Sequence, residues 1–298
     1  RLQEGYGLNS KALQTMHAEG VTLVITVDCG STNHEAIESA GKLGLDVIVT
    51  DHHLPPHFLP AASALVNPKR IEKTEELRDL AGVGVAFYLV TAIRAHFRSE
   101  GRWTKSEQPN LKGYLDLVAL GTLADVVPLT GTNRIIASVG LRELSQTPRL
   151  GLRALKEICG LPGKTISNWD VLFRLGPRLN APGRLGNGEQ ALRLLLSTEP
   201  EEARKLAQEL EQLNRQRQTL EDQLLAEALY LIEADESHQN SSSLVLASPG
   251  WHKGLLGLVA SRLAERFNKP TMLLTQVHQL WQGSGRSVGN FDLYHALA

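Results

Sequence analysis

The chain has 298 residues, 42% of them hydrophobic and 21% charged, enough for a buried core and, by length, for two domains. That composition excludes a disordered, collagen-like or low-complexity polymer, and no run of about 18 apolar residues supplies a membrane-spanning helix. A net charge of −1 excludes a uniformly basic nucleic-acid coat but leaves room for a local basic groove.

The first residues, Arg1-Leu2-Gln3-Glu4-Gly5, include no initiator Met and match no signal or transit peptide, so the chain reads as a fragment or a processed product. Two cysteines, Cys29 and Cys159, make no disulfide framework or zinc site and fit a reducing cytoplasm. Residues 21–27, VTLVITV, are a β-branched apolar run of strand length that stops at Asp28-Cys29-Gly30-Ser31. A helix is predicted next. Thr32-Asn33-His34-Glu35 has capping-box spacing, and Ala36, Ile37, Ala40 and Leu43 share one face. Residues 46–50, DVIVT, form the next strand and end at Asp51-His52-His53, ahead of Pro55-Pro56. Strand, helix and strand in about thirty residues make a βαβ unit, so the two strands are predicted to be parallel. A third short strand is predicted at 64–66, and helices at 83–97 and 111–120.

Thr198-Glu199-Pro200-Glu201 reads as a capped helix start, with proline where its missing N–H does no harm. Ala203, Leu206, Leu210, Leu213, Leu220, Leu224 and Leu231 then step by threes, fours and sevens, with Arg217 and Glu227 at intervening seam positions. A helix of about 30 residues with so narrow a seam suits a connector between domains; a partner-binding coiled coil is the competing reading. The polar run 237–243 is predicted to be a loop, followed by a strand at 244–247, a helix at 254–267 and a strand at 271–275. Charge is uneven: 134–193 carries ten basic side chains against four acidic ones, net +6, 199–236 is net −7, and 244–298 is net +3. Two basic blocks flanking an acidic one are either solvated faces or parts of a polyanion-binding surface.

In an open parallel sheet, ligands bind beyond the carboxyl ends of the strands. Asp28 follows one strand and Asp51, His52 and His53 follow the next. Adjacent strands lie about 4.8 Å apart, so these side chains can converge. A carboxylate with imidazoles suits Mn²⁺, and by ligand chemistry alone Zn²⁺ or Fe²⁺ as well; local hydrogen bonding at strand ends is the alternative. Asp125, between Ala124 and Val126-Val127, is the third candidate. An acid there is costly to bury without a partner or a metal, while a surface turn before Pro128 accounts for it equally.

These residues belong to an ordered series. It runs through Glu4-Gly5-Tyr6-Gly7, Val27-Asp28-Cys29-Gly30, Asp51-His52-His53, Ala81-Gly82-Val83-Gly84-Val85-Ala86 and Asp116-Leu117-Val118-Ala119-Leu120-Gly121-Thr122, up to Asp125-Val126-Val127-Pro128-Leu129. It continues with Gly176-Pro177-Arg178-Leu179-Asn180-Ala181-Pro182-Gly183-Arg184-Leu185, Gly250-Trp251-His252-Lys253-Gly254 and Gly283-Ser284-Gly285-Arg286-Ser287. Over essentially the whole chain, the series resembles the RecJ single-stranded-DNA exonucleases of the DHH phosphoesterase superfamily.

The resemblance implies an α/β protein: a parallel-sheet DHH domain over 1–190, a long connector helix over 191–238, and the start of a smaller α/β DHHA1 substrate-binding domain over 239–298. It implies a pair of Mn²⁺ or Mg²⁺ ions that activate water for attack on a phosphodiester. Asp28 then bridges the two ions, His52 and Asp125 bind one of them, His53 contacts the scissile phosphate, and Asp51 orients these groups. Arg178, Asn180 and Arg184, in a Gly/Pro-rich segment open to close approach by a phosphate chain, join Ser284, Arg286 and Ser287 as nucleic-acid contacts. Trp251 and His252 stack on bases or close the cleft, with a core role for Trp251 as the alternative, and Tyr6 is a loop residue near substrate.

The activity implied is metal-dependent 5′→3′ hydrolysis of single-stranded DNA in repair and recombination. It is expected of a cytoplasmic monomer, bound to no membrane, that partners a single-strand-binding protein or a helicase. A DHH/DHHA1 phosphodiesterase for short oligonucleotides or cyclic dinucleotides is one alternative, and a non-catalytic DNA-binding replisome scaffold is another. A family-II pyrophosphatase shares the DHH site but not the arginine motifs. The family pattern also contains an Asp-Tyr-Asp-x-Asp-Gly motif before Glu4 and a Gly-Gly-His segment after Ala298. Residues 1–298 alone are therefore expected to hold one ion weakly, to show little nuclease activity, and to present an apolar sheet edge.

Overall fold

The structure, a computed structural model, describes residues 7–70, 76–104 and 106–297; Tyr6 lies outside them. Its first part comprises α1 (Ser10–Ala18), β1 (Leu23–Val27), α2 (His34–Lys42), β2 (Asp46–Thr50) and β3 (Ala64–Val66). The strands are ordered β1-β2-β3 and both pairings are parallel, as the βαβ pattern predicts. Alternation decides the faces: Val24, Val47 and Val49 turn toward Leu13 of α1 and Ala36, Ile37 and Ala40 of α2 to make a core. The opposite row of β1, Leu23, Ile25 and Val27, is 46%, 47% and 54% exposed. The Thr32/Glu35 capping box does not form. The N-cap is Asn33, which makes no capping bond, and its Nδ2 donates instead to the Leu8 carbonyl (3.3 Å).

Next come α3 (Gly82–Ser99), which packs on β1 and β2, a 3₁₀ turn at Leu111–Tyr114, α4 (Leu115–Ala124), α5 (Gly131–Ser145) and α6 (Leu150–Ile158). Asp116, within the 116–122 motif, is buried. It accepts hydrogen bonds from Thr147 Oγ1 (2.7 Å), Arg149 Nε (3.2 Å) and the neighbouring Leu117 N–H (2.7 Å), so it pins α4 to the start of α6. A short α7 (Asn168–Asp170) runs through a π-helical turn, Val171–Leu175, into α8 (Gly176–Leu185), and α9 (Glu189–Leu196) follows. The Gly/Pro-rich segment expected to lie open is thus the helix α8, with Pro182 inside it. Its glycines and prolines conceal a helical turn that Ala181 and Pro182 bury.

α10 (Pro200–Ala234) is 35 residues long with Pro200 first, a position that tolerates proline. Ala203, Leu206, Ala207 and Leu210 are buried near its start, and Leu224, Ala228 and Ile232 near its end. Between them the seam turns polar: Asn214 is buried, and Arg217 donates to both Asn214 Oδ1 and Glu221. Glu227 is exposed, and Ala228 takes the seam position instead. Where a loop was predicted stands α11 (Glu236–Asn240), whose first turn is capped by Asp235 accepting from Ser237 N–H (2.8 Å).

Two compact units result. Among the described residues, one comprises those from 7 to 177 together with 194–207, and the other comprises 178–193 and 208–297. α10 is therefore shared by both units rather than being a spacer outside them, and its apolar positions enter their cores rather than a coiled-coil seam. The second unit adds β4 (Leu244–Ala247), α12 (Leu256–Phe267), β5 (Thr271–Val277), β6 (Leu280–Arg286) and α13 (Leu293–Leu297). β4 and β5 are parallel, β5 and β6 antiparallel. Trp251 is 5% exposed and packs with Leu244, Leu255, Val259 and Leu273. It is a core residue, and the stacking role is corrected. None of the described helices is long and apolar enough to cross a membrane.

Candidate metal centre

Backbone hydrogen bonds carry the parallel ladder one residue past each strand. The Asp28 N–H donates to the Thr50 carbonyl (2.9 Å), and the Asp51 N–H to that of Val66 (3.0 Å). Asp28, Asp51, His52 and His53 therefore gather at one end of the sheet. Asp125 arrives from a different direction, as the C-cap of α4, its N–H donating to Gly121 O (3.0 Å). Asp28 and Val126 both adopt positive φ, 65° and 58°. That conformation is uncommon for residues with a side chain, least of all a β-branched one, so the backbone is strained on both sides of the site.

His52 is 7% exposed. Its Nε2 stands 3.0 Å from Asp28 Oδ1 and 3.4 Å from Asp125 Oδ2, yet makes no aligned hydrogen bond among the described residues. The ligand atoms of Asp28, His52 and His53 lie within 4.8 Å of one another. The Asp28 carboxylate raises the pKa of His52 against the opposing effect of burial, with Asp125 adding to the rise. Burial raises that of Asp125, His52 opposes it, and Asp28 pushes it further up. The site is short of positive charge, the negative end of α4 adds to the deficit, and two carboxylates around an imidazole nitrogen suit a divalent cation.

Asp51 does not point at this cluster. It accepts from the N–H groups of Ser31 (2.9 Å), His52 (2.8 Å) and His53 (3.2 Å), and from His53 Nδ1 (2.7 Å). Burial alone would raise its pKa, but these hydrogen bonds, those from Ser31 and His53 foremost, hold it at about 2. An ionised carboxylate can only accept, so Nδ1 is the protonated nitrogen of the His53 ring. Two further residues, not singled out from sequence, complete the support. Asn67 is buried and donates to Ser31 Oγ (3.0 Å) and the His53 carbonyl (2.9 Å). Gly82 leaves the space that Asp28 fills: a Cβ there would stand 2.6 Å from Asp28 Cβ and 2.7 Å from its Cγ. Gly82 lies in the matched 81–86 segment, but spacing alone gives it no partner.

Gly82→Ala is therefore expected to displace the Asp28 carboxylate and weaken Mn²⁺ binding by roughly 10- to 100-fold. The overlap with Asp28 Cβ also requires a local shift, so the metal-free chain should lose some stability. Mn²⁺ titration followed by electron paramagnetic resonance reads the effect, and an unchanged affinity would show that Asp28 does not hold the ion.

The remaining sequence candidates lie in the second unit. Arg178 Nε is bonded to Glu211 Oε2 (2.6 Å), and Asn180 is exposed on α8. The Arg184 carbonyl lies against Gly254, which has no room for a side chain, and the Gly254 N–H donates to His252 Nδ1 (3.2 Å). Burial and the nearby Lys253 lower the His252 pKa. On the edge strand β6, Arg286 donates to Ser261 Oγ (2.9 Å), Ser284 Oγ (3.3 Å) and the Gly285 carbonyl (2.7 Å). Ser287 Oγ instead accepts from the Leu293 N–H at the start of α13 (3.1 Å). Arg184 with His252, and Ser284 with Arg286, are thus brought together, whereas Trp251 and Ser287 point elsewhere.

This arrangement, with its strand-end Asp-His-His, defines a class: the DHH family, N-terminal domain, matches residues 2–122. More specific matches follow. The single-stranded-DNA-specific exonuclease RecJ of Dickeya dadantii is 42% identical over 303 residues, covering all of this chain and 53% of the relative. Among solved structures, an exonuclease RecJ bound to manganese superposes with a TM-score of 0.82 at 38% identity, over 100% of this chain and 71% of that one. RecJ from Thermus thermophilus in complex with Mn²⁺ gives 0.83 at 37% identity, over 97% and 41%. The chain belongs to the DHH family and, within it, to the RecJ group. It spans about half the length of the relatives it matches.

Proposed function

We propose that this chain carries the catalytic site of a Mn²⁺- or Mg²⁺-dependent nuclease that hydrolyses single-stranded DNA from its 5′ end. One observation carries the reading: a buried histidine nitrogen stands 3.0 and 3.4 Å from two carboxylates at the end of a parallel sheet. The RecJ relatives support it. Asp28, His52 and Asp125 would hold the cation. A bound divalent ion supplies an activated water and polarises the phosphodiester. His53, fixed through Nδ1 by Asp51, stabilises the charge that develops on the scissile phosphate. Asp51 stays ionised, holding the backbone N–H groups of both histidines and the ring of His53.

Residues from 239 onward, within the second unit, belong to a DHHA1 substrate-binding domain. Arg178, Asn180 and Arg184 on α8, with His252, Ser284 and Arg286, are the contacts to the phosphate chain. In this reading the protein serves DNA repair and recombination in the cytoplasm, as a monomer alongside a single-strand-binding protein or a helicase.

Affinity for a single-stranded oligonucleotide is expected to fall steeply with salt, because phosphate neutralisation releases counterions. At about 0.15 M salt, Arg184→Ala and Arg286→Ala should each weaken binding by roughly tenfold, the worth of a charge-assisted hydrogen bond, with Mn²⁺ binding intact. Fluorescence anisotropy measures it. Wild-type affinity in both variants would remove the second unit from the substrate path.

A further inference from the structure

In the first unit, an aromatic pair takes no part in the site described above. Trp169 and Phe173 are 53% and 61% exposed. Their ring centroids lie 5.3 Å apart at a tilt of 40°, and the Arg174 guanidinium sits 5.2 Å from the Trp169 centroid while also pairing with Asp170 (3.6 Å). The element that carries them is rigid. A capping box joins Ser167 and Asp170, and the alternate face is anchored by Val171 and Leu175, both fully buried. The π-helical turn at Val171–Leu175 sets Trp169 and Phe173 on the outer face, and such turns recur at functional sites. The same turn packs on α4. A Cβ at Gly176 would stand 3.5 Å from that of Ala124, the residue before Asp125. Phe173 is therefore three residues, and Trp169 seven, from a contact with the helix that ends in the metal centre.

We infer that Trp169, Phe173 and Arg174 form a stacking platform for the bases of a single strand whose backbone enters the metal centre. The inference rests on the nuclease reading. Two rigid ring faces accept any base, because every base has a π-face, and a neighbouring guanidinium meets both base and phosphate. The stretch 134–193, which contains the platform, is net +6, the sign a polyanion requires. A purely apolar protein partner would have to bury Arg174 and Asp170 along with the rings, and such desolvation is unfavourable.

The test compares a single-stranded 12-mer with an abasic strand of the same length, by anisotropy without added divalent metal, in wild type, Trp169→Ala, Phe173→Ala and Trp169→Tyr. Wild type should prefer the base-bearing strand. Each Ala variant should lose roughly 5- to 100-fold on that strand, with little change on the abasic one and the same salt slope, and Trp169→Tyr should recover most of the loss. Both rings are exposed, so thermal midpoints should hold. If the Ala variants keep the wild-type preference, or weaken both strands alike, the platform is wrong and the nuclease reading stands. If they alter sedimentation instead, the patch is a protein interface and the platform is again wrong. A wild type that binds neither strand overturns both readings.

Discussion

In the full-length protein, Asp28→Ala is expected to lower Mn²⁺-dependent hydrolysis of single-stranded DNA by about a thousandfold or more, because the proposed centre would lose a carboxylate ligand that water replaces poorly. Stability should move little. The lost carboxylate relieves its repulsion of Asp125, whose pKa it helps to raise. Against that, alanine at φ 65° costs roughly 1 kcal/mol in the left-handed region. Hydrolysis rates, metal content and thermal midpoint together decide the matter. Wild-type turnover by Asp28→Ala, with metal content unchanged, would sink the assignment.

Asp51→Ala is the second large effect, and it falls on folding. The substitution strands two buried backbone N–H groups, those of Ser31 and His52, together with the half-buried N–H and ring N–H of His53, and leaving such donors unsatisfied costs about 3 kcal/mol or more. The pH dependence has a definite sign. The folded pKa of about 2 lies below the ordinary 3.8, so Asp51 contributes stability that is complete above about pH 4 and is lost as pH falls through 2. From the two values this amounts to roughly 2 kcal/mol. Urea unfolding at pH 5 and at pH 2 should show the wild type losing that increment and Asp51→Ala lacking it. Equal losses in both proteins would place the acid sensitivity elsewhere.

The first sheet is legible because its strands are short β-branched runs between turn residues, although both rows of 23–27 are apolar and packing decides which one is buried. The metal centre is legible only in part. Asp28 and His52 follow directly from strand ends, but Asp125 reaches them through the packing of α4, which no local pattern encodes. Gly82 is invisible for the same reason, since its partner is 54 positions away in sequence. α8 is hidden by Gly176, Pro177, Pro182 and Gly183, each a breaker in isolation. β6 is hidden by Gly283 and Gly285 among polar neighbours; its stability comes from pairing with β5, not from its own propensity. Trp251 stacks on no base because the second unit needs a large side chain in its core more than it needs an exposed ring.

The unbroken course of α10 has a thermodynamic consequence. Its first turns are buried with one unit and its last turns with the other, so both share a single helix–coil equilibrium. Loosening either unit removes burial from one end of a segment that propagates one hydrogen bond at a time. The polar middle, held by Arg217 bonding one turn back to Asn214 and one turn on to Glu221, gains helical stability from local pairs that neither core supplies. It acts as a splice that stays wound while an end frays, and it offers a protease no extended linker between 200 and 234. Heating should melt the protein in one transition instead of two.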